Sequence, residues 1–109
     1  MEFLLVLASC KKWNKVPLKN SCAYHIIVKG RVQGVGYRAF AAKTAQRFGV
    51  FGFVKNKSDG TVEIVVQGQN EAVDKFVSMC KVGPGWGRVD QVELTESLVQ
   101  DYSGFRIKY

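Results

Sequence analysis

The sequence contains no apolar run that approaches the roughly 20 residues needed to span a membrane. It has two prolines, one histidine and three cysteines, Cys10, Cys22 and Cys80, among 109 residues. The cysteines form no CxxC pair. An odd, dispersed set of cysteines argues against both a disulfide framework and a zinc site, and it favours reduced thiols.

The carboxylates are also dispersed, and they form no cluster that suggests a metal site. Sixteen Lys and Arg residues stand against nine Asp and Glu, which gives a net charge of +7. A hydrophobic fraction of 47% is ordinary for a folded globular protein, and the length favours one domain over two. A basic surface suits an anionic partner, such as a phosphorylated metabolite or a nucleic acid.

Residues 1–22 differ from the rest of the chain, because a short apolar run is followed by a lysine-rich stretch. The string Leu7-Ala8-Ser9-Cys10 is similar to a lipoprotein cleavage box. A secretory signal, however, begins with basic residues and has a longer apolar stretch, whereas this chain begins Met1-Glu2. We interpret the match as chance, residues 1–22 as a disordered or loosely docked extension, and residues 23–109 as a single cytoplasmic domain.

Hydrophobic periodicity predicts two helices in this domain. The first carries one apolar stripe with the helical period, formed by Tyr37, Phe40, Ala41, Thr44, Ala45 and Phe48. The second has a shorter stripe of the same kind, formed by Val73, Phe76, Val77 and Cys80. Asn70 precedes this second stripe and is a candidate N-cap.

Alternating or bounded apolar runs predict strands at residues 24–30, 50–56, 61–67, 91–99 and 105–109. The second and third are joined by Lys57-Ser58-Asp59-Gly60, and Asp-Gly in this position is a strong hairpin signal. The order strand, helix, strand, strand, helix, strand predicts an α+β fold, the ferredoxin-like βαββαβ sandwich. We expect two helices on one face of an antiparallel sheet, the first and third strands at its centre, and an extra C-terminal strand.

A glycine-rich loop joins the first strand to the first helix. Gly34 and Gly36 permit backbone angles that other residues resist, and successive N–H groups in such a turn can form an anion-binding concavity. The helix N-terminus adds unpaired N–H groups and the positive end of its dipole, and Arg38 can hold a phosphate with two parallel hydrogen bonds. Considered alone, the loop is as consistent with a tight structural turn as with a phosphate site.

Longer strings resemble the acylphosphatase family. Gly30-Arg31-Val32-Gln33-Gly34-Val35-Gly36-Tyr37-Arg38 is similar to the family's signature loop, and Gly52-Phe53-Val54-Lys55-Asn56 is similar to its second motif. The hairpin 59–63 and the ending 102–109 also fit, so the resemblance covers residues 24–109. One departure is Lys57, which stands where some members have Thr.

The resemblance implies an enzyme that hydrolyses the carboxyl-phosphate bond of acyl phosphates to a carboxylate and inorganic phosphate. It implies that Arg38 and Asn56 are catalytic, with Asn56 positioning the attacking water. The residues implied to bind the phosphoryl group are Gln33, Gly34, Val35, Gly36, Tyr37 and Arg38. We accordingly expect a monomer without metal or organic cofactor, inhibited by its product phosphate, and with no nucleic-acid or membrane partner.

The residue chemistry agrees with this implication. The leaving carboxylate has a conjugate acid with a pKa of about 4, so no general acid is needed. The phosphoryl transition state mainly requires charge stabilisation and alignment. The single histidine, His25, alternates with core residues, and we expect it on the open sheet face, away from catalysis.

Two other functions are considered. RNA-recognition motifs share the βαββαβ order, and Phe51-Gly52-Phe53-Val54 matches part of their signature, but on the second strand instead of the third. A non-catalytic acylphosphatase-like domain is the second alternative, since such domains also occur inside larger enzymes that handle carbamoyl phosphate. We expect a free-standing enzyme because Arg38 and Asn56 are both present; its substrate stays open among acetyl phosphate, carbamoyl phosphate and 1,3-bisphosphoglycerate.

Overall fold

A computed structural model of the chain describes residues 21–109, so the predictions made for residues 1–20, including the Leu7–Cys10 match, lie outside the described residues. Ser21 and Cys22 belong to the first strand, where they pair with Gln69 and Gly68. In chain order the elements are β1 (Ser21–Arg31), α1 (Tyr37–Phe48), β2 (Phe51–Asn56), β3 (Val62–Gln69), α2 (Asn70–Val82), β4 (Arg88–Glu96) and β5 (Phe105–Lys108).

The five strands form one sheet in the order β4-β1-β3-β2-β5. The β1–β3, β1–β4 and β2–β3 pairs are antiparallel, with β1 and β3 inside the sheet. This confirms the predicted ferredoxin-like arrangement and its central strands. The sheet as a whole is mixed, because β5 pairs with β2 in parallel.

The parallel pairing follows from the route of the chain after β4. β4 and β5 lie at opposite edges of the sheet, so residues 97–104 must cross its whole width. This crossing segment is held by the buried side chain of Gln67, which accepts a hydrogen bond from the backbone N–H of Gln100 at 2.8 Å and donates one to its carbonyl oxygen. A chain that crosses in this way enters β5 in the direction of β2.

The two helices cover one face of the sheet, as the apolar stripes predict. In α1 the buried stripe is Tyr37, Ala41, Thr44 and Ala45, with Phe40 and Phe48 packed partly against the core. In α2 all four predicted positions, Val73, Phe76, Val77 and Cys80, are buried. No helix in residues 21–109 is long and apolar enough to cross a membrane.

The predicted cap of the second helix is wrong. α2 begins at Asn70 itself, with Gln69 at the boundary position, and no side chain caps the helix. The physical reason is that β3 continues two residues further than expected, to Gln69, because its pairing with β1 extends to Ser21. No residues are then left between strand and helix in which Asn70 could adopt the extended conformation of an N-cap.

Among the glycines of residues 21–109, Gly52 is the one that approaches a neighbouring strand most closely. Its φ is +136°, and a Cβ built there would lie 1.8 Å from the carbonyl oxygen of Val65 on the neighbouring strand. We expect Gly52→Ala to destabilise the domain by about 3 kcal/mol or more, because the β2–β3 pair must separate and the backbone must adopt strained angles.

Urea or thermal unfolding monitored by circular dichroism measures this effect. Gly85→Ala is the matched control, since a Cβ at Gly85 meets no atom within 4 Å and its φ is not in the left-handed region. Similar stability of Gly52→Ala and Gly85→Ala would contradict the close approach of β2 and β3.

Candidate active site

The chain passes from β1 to α1 through the five residues 32–36. Gly34 and Gly36 have left-handed backbone angles, with φ of +76° and +79°, which residues with a Cβ adopt less readily. Gly36 stands at the N-terminal boundary of α1, and no side chain caps that helix end. α1 therefore begins shortly after β1 ends, and no side chain caps the N–H groups of its first turn.

The backbone N–H groups of Gly34–Arg38 donate to no protein acceptor within residues 21–109. For the helical residues this follows from geometry, since the first N–H groups of a helix have no intrahelical acceptor. The same helix end carries the positive pole of the helix dipole. Consecutive unpaired N–H groups at such a position are suited to binding an anion.

Arg38 and Asn56 line one cavity of about 160 Å³. Arg38 lies in the first turn of α1, and Asn56 is the last residue of β2. Packing of α1 across β2 brings them together although they are distant in sequence. The remaining lining residues are Val32, Gly34, Gly36, Tyr37, Ala39, Ile107 and Tyr109.

Of the residues predicted for the site, Gly34, Gly36, Tyr37, Arg38 and Asn56 therefore line the cavity, whereas Gln33 and Val35 do not. Gln33 uses its side chain elsewhere. Its amide donates to the carbonyl oxygens of Lys57 at 2.7 Å and Thr61 at 2.8 Å. The glycine loop is thus braced against the β2–β3 hairpin that follows Asn56.

Val35 and Tyr37 fasten the loop and the start of α1 to their surroundings. A Cβ on Gly87 would lie 3.0 Å from Val35 Cγ2, so the segment between α2 and β4 packs closely on the loop. The Tyr37 side chain is buried and donates a hydrogen bond to the Cys80 carbonyl oxygen at 2.8 Å. Burial raises the pKa of the Tyr37 phenol far above its ordinary value, so this hydroxyl stays protonated and is unsuited to act as a base.

The Asn56 side chain has a hydrogen-bond acceptor that remains unsatisfied. Its Oδ1 atom is buried and has no hydrogen-bond partner within the described residues. An unsatisfied buried acceptor costs about 1–3 kcal/mol. This amide is therefore not consumed by the protein's own hydrogen bonds, and a group that donates to it would recover part of that cost.

Arg38 is the one charged side chain in the cavity lining, which includes no acidic side chain. Arg38 forms no ion pair within residues 21–109, and its guanidinium carbon lies 4.7 Å from the ring centroid of Tyr109. By contrast, Lys29, near the end of β1, is paired with Glu93 at 2.9 Å.

His25 lies away from the cavity, as expected. Its Nε2 atom is 2.7 Å from Glu63 Oε2, and both residues lie on the sheet face that the helices leave open. Across the described part of the chain, no three His, Cys, Asp or Glu residues are grouped so that they could hold a metal ion.

Val32, Ala39, Ile107 and Tyr109 also line the cavity, although they are not among the predicted site residues. Val32 and Ala39 flank the predicted loop, and widening the motif by one residue at either end would have included them. Ile107 and Tyr109 had no such signal. They reach the cavity only because β5 lies beside β2, a pairing that no local pattern encodes.

The described domain is thus an α+β sandwich in which the uncapped start of α1 and Arg38, which has no ion pair within residues 21–109, meet at one cavity. The acylphosphatase family model matches residues 24–107 of this chain. An acylphosphatase from Thiobacillus denitrificans is 47% identical over 81 residues, which cover 74% of this chain and 90% of that protein. The chain therefore belongs to the acylphosphatase family, which are hydrolases acting on acid anhydrides.

Solved structures support the same family assignment. The crystal structure of acylphosphatase from Bacillus subtilis is 41% identical, with a TM-score of 0.78 over 80% of this chain and 98% of that one. A crystal structure of full-length HypF, in a phosphate- and nucleotide-bound form, is 31% identical with a TM-score of 0.77. The match covers 82% of this chain but 12% of HypF, so the same fold also occurs within a much larger protein.

Proposed function

We propose that the cavity holds the phosphoryl group of an acyl phosphate against the loop Gln33–Arg38, while Asn56 orients the attacking water. The observation that carries the proposal is that three groups without a hydrogen-bond or ion-pair partner in residues 21–109 lie at one cavity of about 160 Å³. These groups are the loop N–H groups, the Arg38 guanidinium and the Asn56 amide oxygen. One water occupies about 30 Å³ in the liquid, so there is room for a phosphoryl group and a water.

The groups at the cavity suit the charge that phosphoryl transfer develops. Charge spreads over the equatorial phosphoryl oxygens in the transition state. Fixed N–H donors and a guanidinium stabilise that charge without reorganising during the reaction. Arg38 adds two parallel donors in a planar fork, which matches the geometry of a phosphoryl group.

In the proposed reaction the water oxygen forms a bond to phosphorus as the bond from phosphorus to the acyl oxygen breaks. The electron pair of that bond leaves with the carboxylate, whose conjugate acid has a pKa of about 4, so no general acid takes part. The cavity lining contains no acidic side chain and no imidazole, and the buried Tyr37 hydroxyl donates to the Cys80 carbonyl oxygen. We therefore propose that the water proton passes to a phosphoryl oxygen of the substrate.

The purified protein should hydrolyse benzoyl phosphate without added metal, because charge stabilisation comes from Arg38 and the loop N–H groups. The measurement is the hydrolysis rate before and after exhaustive treatment with EDTA, and the two rates should coincide. A loss that is restored by adding back a divalent cation would contradict the proposed mechanism. Absence of hydrolysis by the folded protein would favour a non-catalytic domain instead.

Inorganic phosphate should inhibit competitively and raise the melting temperature, since a ligand that binds only the native state stabilises it. At a phosphate concentration about 100-fold above the dissociation constant the expected stabilisation is about 2.7 kcal/mol. The control is chloride at equal ionic strength. Equal melting temperatures in phosphate and chloride would count against anion binding at the loop.

The same proposal includes a small acyl phosphate as substrate, activity as a monomer, a cytoplasmic location, and no nucleic-acid or membrane partner. Against the RNA-binding alternative, β3 carries no aromatic residue on either face, whereas RNA-recognition motifs stack bases on aromatics of that strand.

A further inference from the structure

β5 is an edge strand, and within residues 21–109 its outer side pairs with no other strand. Apart from the pairing with β2, no backbone hydrogen bond of the described chain involves residues 105–108. Phe105 and Ile107 pack partly against the core, whereas Arg106 and Lys108 are exposed. Because side chains alternate along a strand, the two cations lie on the sheet face that the helices leave open. The edge therefore presents unpaired backbone groups beside two exposed positive charges.

The charges on this open face are matched across β1, β3 and β4. Lys29 Nζ lies 2.9 Å from Glu93 Oε2, and His25 Nε2 lies 2.7 Å from Glu63 Oε2. Glu63 is also the cross-strand neighbour of Lys55 on β2, but the two form no ion pair. Lys55 is thus left without an acidic partner within residues 21–109.

The β2–β5 side of the same face carries a surplus of positive charge. Lys55 is the cross-strand partner of Lys108, and like charges in such a position are destabilising. Arg106 and Lys108 line a hollow of about 280 Å³, whose one acidic side chain is Asp101. We call Lys55, Arg106 and Lys108 the basic strip. Even with Asp101 counted, the strip has more positive than negative charges, so an acidic ligand would relieve the repulsion between its lysines.

The aromatic side chains beside the strip favour a polypeptide over a nucleic acid as this ligand. Lys108 Nζ lies 3.9 Å from the centroid of the Phe53 ring, and Tyr102 contacts the same ring edge-on, with 6.3 Å between the centroids. The Phe53 ring is therefore already in contact with two side chains. Single-stranded nucleic acids bind by stacking their bases on free aromatic faces, whereas a carboxylate needs only the cations.

We propose that the β5 edge and the basic strip bind an acidic polypeptide segment, which adds to the sheet in extended conformation beside β5. Arg106 and Lys108 are two residues apart, about 6.6 Å along the strand, and acidic residues at alternate positions of an extended segment have the same spacing. Backbone hydrogen bonds to the edge supply affinity, and the alternate side chains supply specificity. The same two cations repel a second copy of this edge, so their charge selects an acidic strand.

The inference is independent of the proposed function, because no residue of the basic strip lines the Arg38 cavity. The probe is a labelled synthetic peptide in which Glu alternates with Thr, and its binding to the whole chain is measured by fluorescence anisotropy at low salt. Arg106→Gln/Lys108→Gln should weaken binding about tenfold, the combined effect expected for two exposed ion pairs. The peptide should also slow amide hydrogen exchange in residues 105–108 and leave exchange in β4, the other edge strand, unchanged.

Lys75→Gln/Lys81→Gln is the matched control, since it removes the same charge from exposed positions on α2. This control should keep the wild-type affinity for the peptide. An equal loss in both double variants would show that net charge alone attracts the peptide, and the inference would be wrong. Protection of β4 in place of β5 would overturn it as well.

Two competitors separate the basic strip from other binding modes. Inorganic phosphate should displace the peptide no more than chloride at equal ionic strength does; stronger displacement would place the peptide at the Arg38 cavity and refute the inference. A single-stranded oligonucleotide of equal charge should bind more weakly than the peptide. Tighter binding of the oligonucleotide that is lost in Arg106→Gln/Lys108→Gln would assign the strip to nucleic acid instead.

Discussion

Replacement of Arg38 by glutamine is expected to lower kcat/KM for benzoyl phosphate by about a thousandfold and to weaken inhibition by inorganic phosphate. The guanidinium is the one charged side chain in the cavity lining, and it is proposed to contact the phosphoryl group in both ground and transition states. Arginines that stabilise phosphoryl transfer are typically worth 10³-fold or more, about 4 kcal/mol. Steady-state kinetics and phosphate inhibition constants measure the two effects.

Two further variants make the Arg38 experiment specific. Arg38→Lys keeps the charge but not the planar fork, so it should recover part of the phosphate binding and little of the turnover. Arg47→Gln, in the last turn of the same helix and over the ring of Phe48, removes an equal charge away from the cavity and should retain wild-type kinetics. A loss in Arg47→Gln as large as that in Arg38→Gln would mean that net charge, and not the site, is responsible.

Replacement of Asn56 by alanine is expected to reduce kcat by about a hundredfold or more, the scale seen when one preorganised polar group is lost. Asn56 is proposed to orient the water alone, so the inhibition constant of phosphate should stay nearly unchanged. A fall in kcat with unchanged ground-state binding is the signature of an interaction made in the transition state.

The Asn56 variant requires a test of folding, because Asn56 ends β2 beside the hairpin and could also support backbone groups there. Its Oδ1 atom has no partner within the described residues, so alanine should cost little stability and can even relieve an unsatisfied acceptor. Asn70→Ala, an exposed asparagine in the first turn of α2, is the control. Full turnover in folded Asn56→Ala would refute the water-positioning role while leaving the assignment as an enzyme intact.

The contrast between these two variants is more informative than either alone. Phosphate binding should weaken in Arg38→Gln but not in Asn56→Ala, whereas turnover should fall in both variants. If both variants retained wild-type hydrolysis, the activity would arise elsewhere in the molecule, and the cavity would not be the active site.

Much of the fold could be predicted because its signals are local. The α1 and α2 stripes repeat with the helical period, and burial of Ala41, Val73 and Phe76 confirms them. The β2–β3 hairpin was predicted from Asp59-Gly60, and the Asp59 side chain accepts hydrogen bonds from the Thr61 N–H at 3.0 Å and from its hydroxyl. These hydrogen bonds lower the pKa of Asp59, so the turn keeps its acceptor charged at neutral pH.

Strand ends were less predictable, since they depend on the partner strand. β4 spans Arg88–Glu96 instead of the expected 91–99, and β3 extends to Gln69. In both cases the observed limits follow the pairing with β1, which runs from Ser21–Gln69 at one end to Arg31–Arg88 at the other. Pairing registers involve residues far apart in sequence, and hydrophobic alternation alone does not specify where they stop.

The sequence by itself determined the element order, the two buried helix faces, the glycine loop and the two motifs that contain Arg38 and Asn56. Each of these depends on neighbouring residues whose spacing encodes a backbone geometry. Only the tertiary structure decided that β5 runs parallel to β2, that Gln33 braces the loop against the hairpin, and that Tyr109 lies against Arg38. These contacts form only when the chain crosses the sheet and packs. Their partners are therefore set by long-range topology, which no periodic pattern in the sequence encodes.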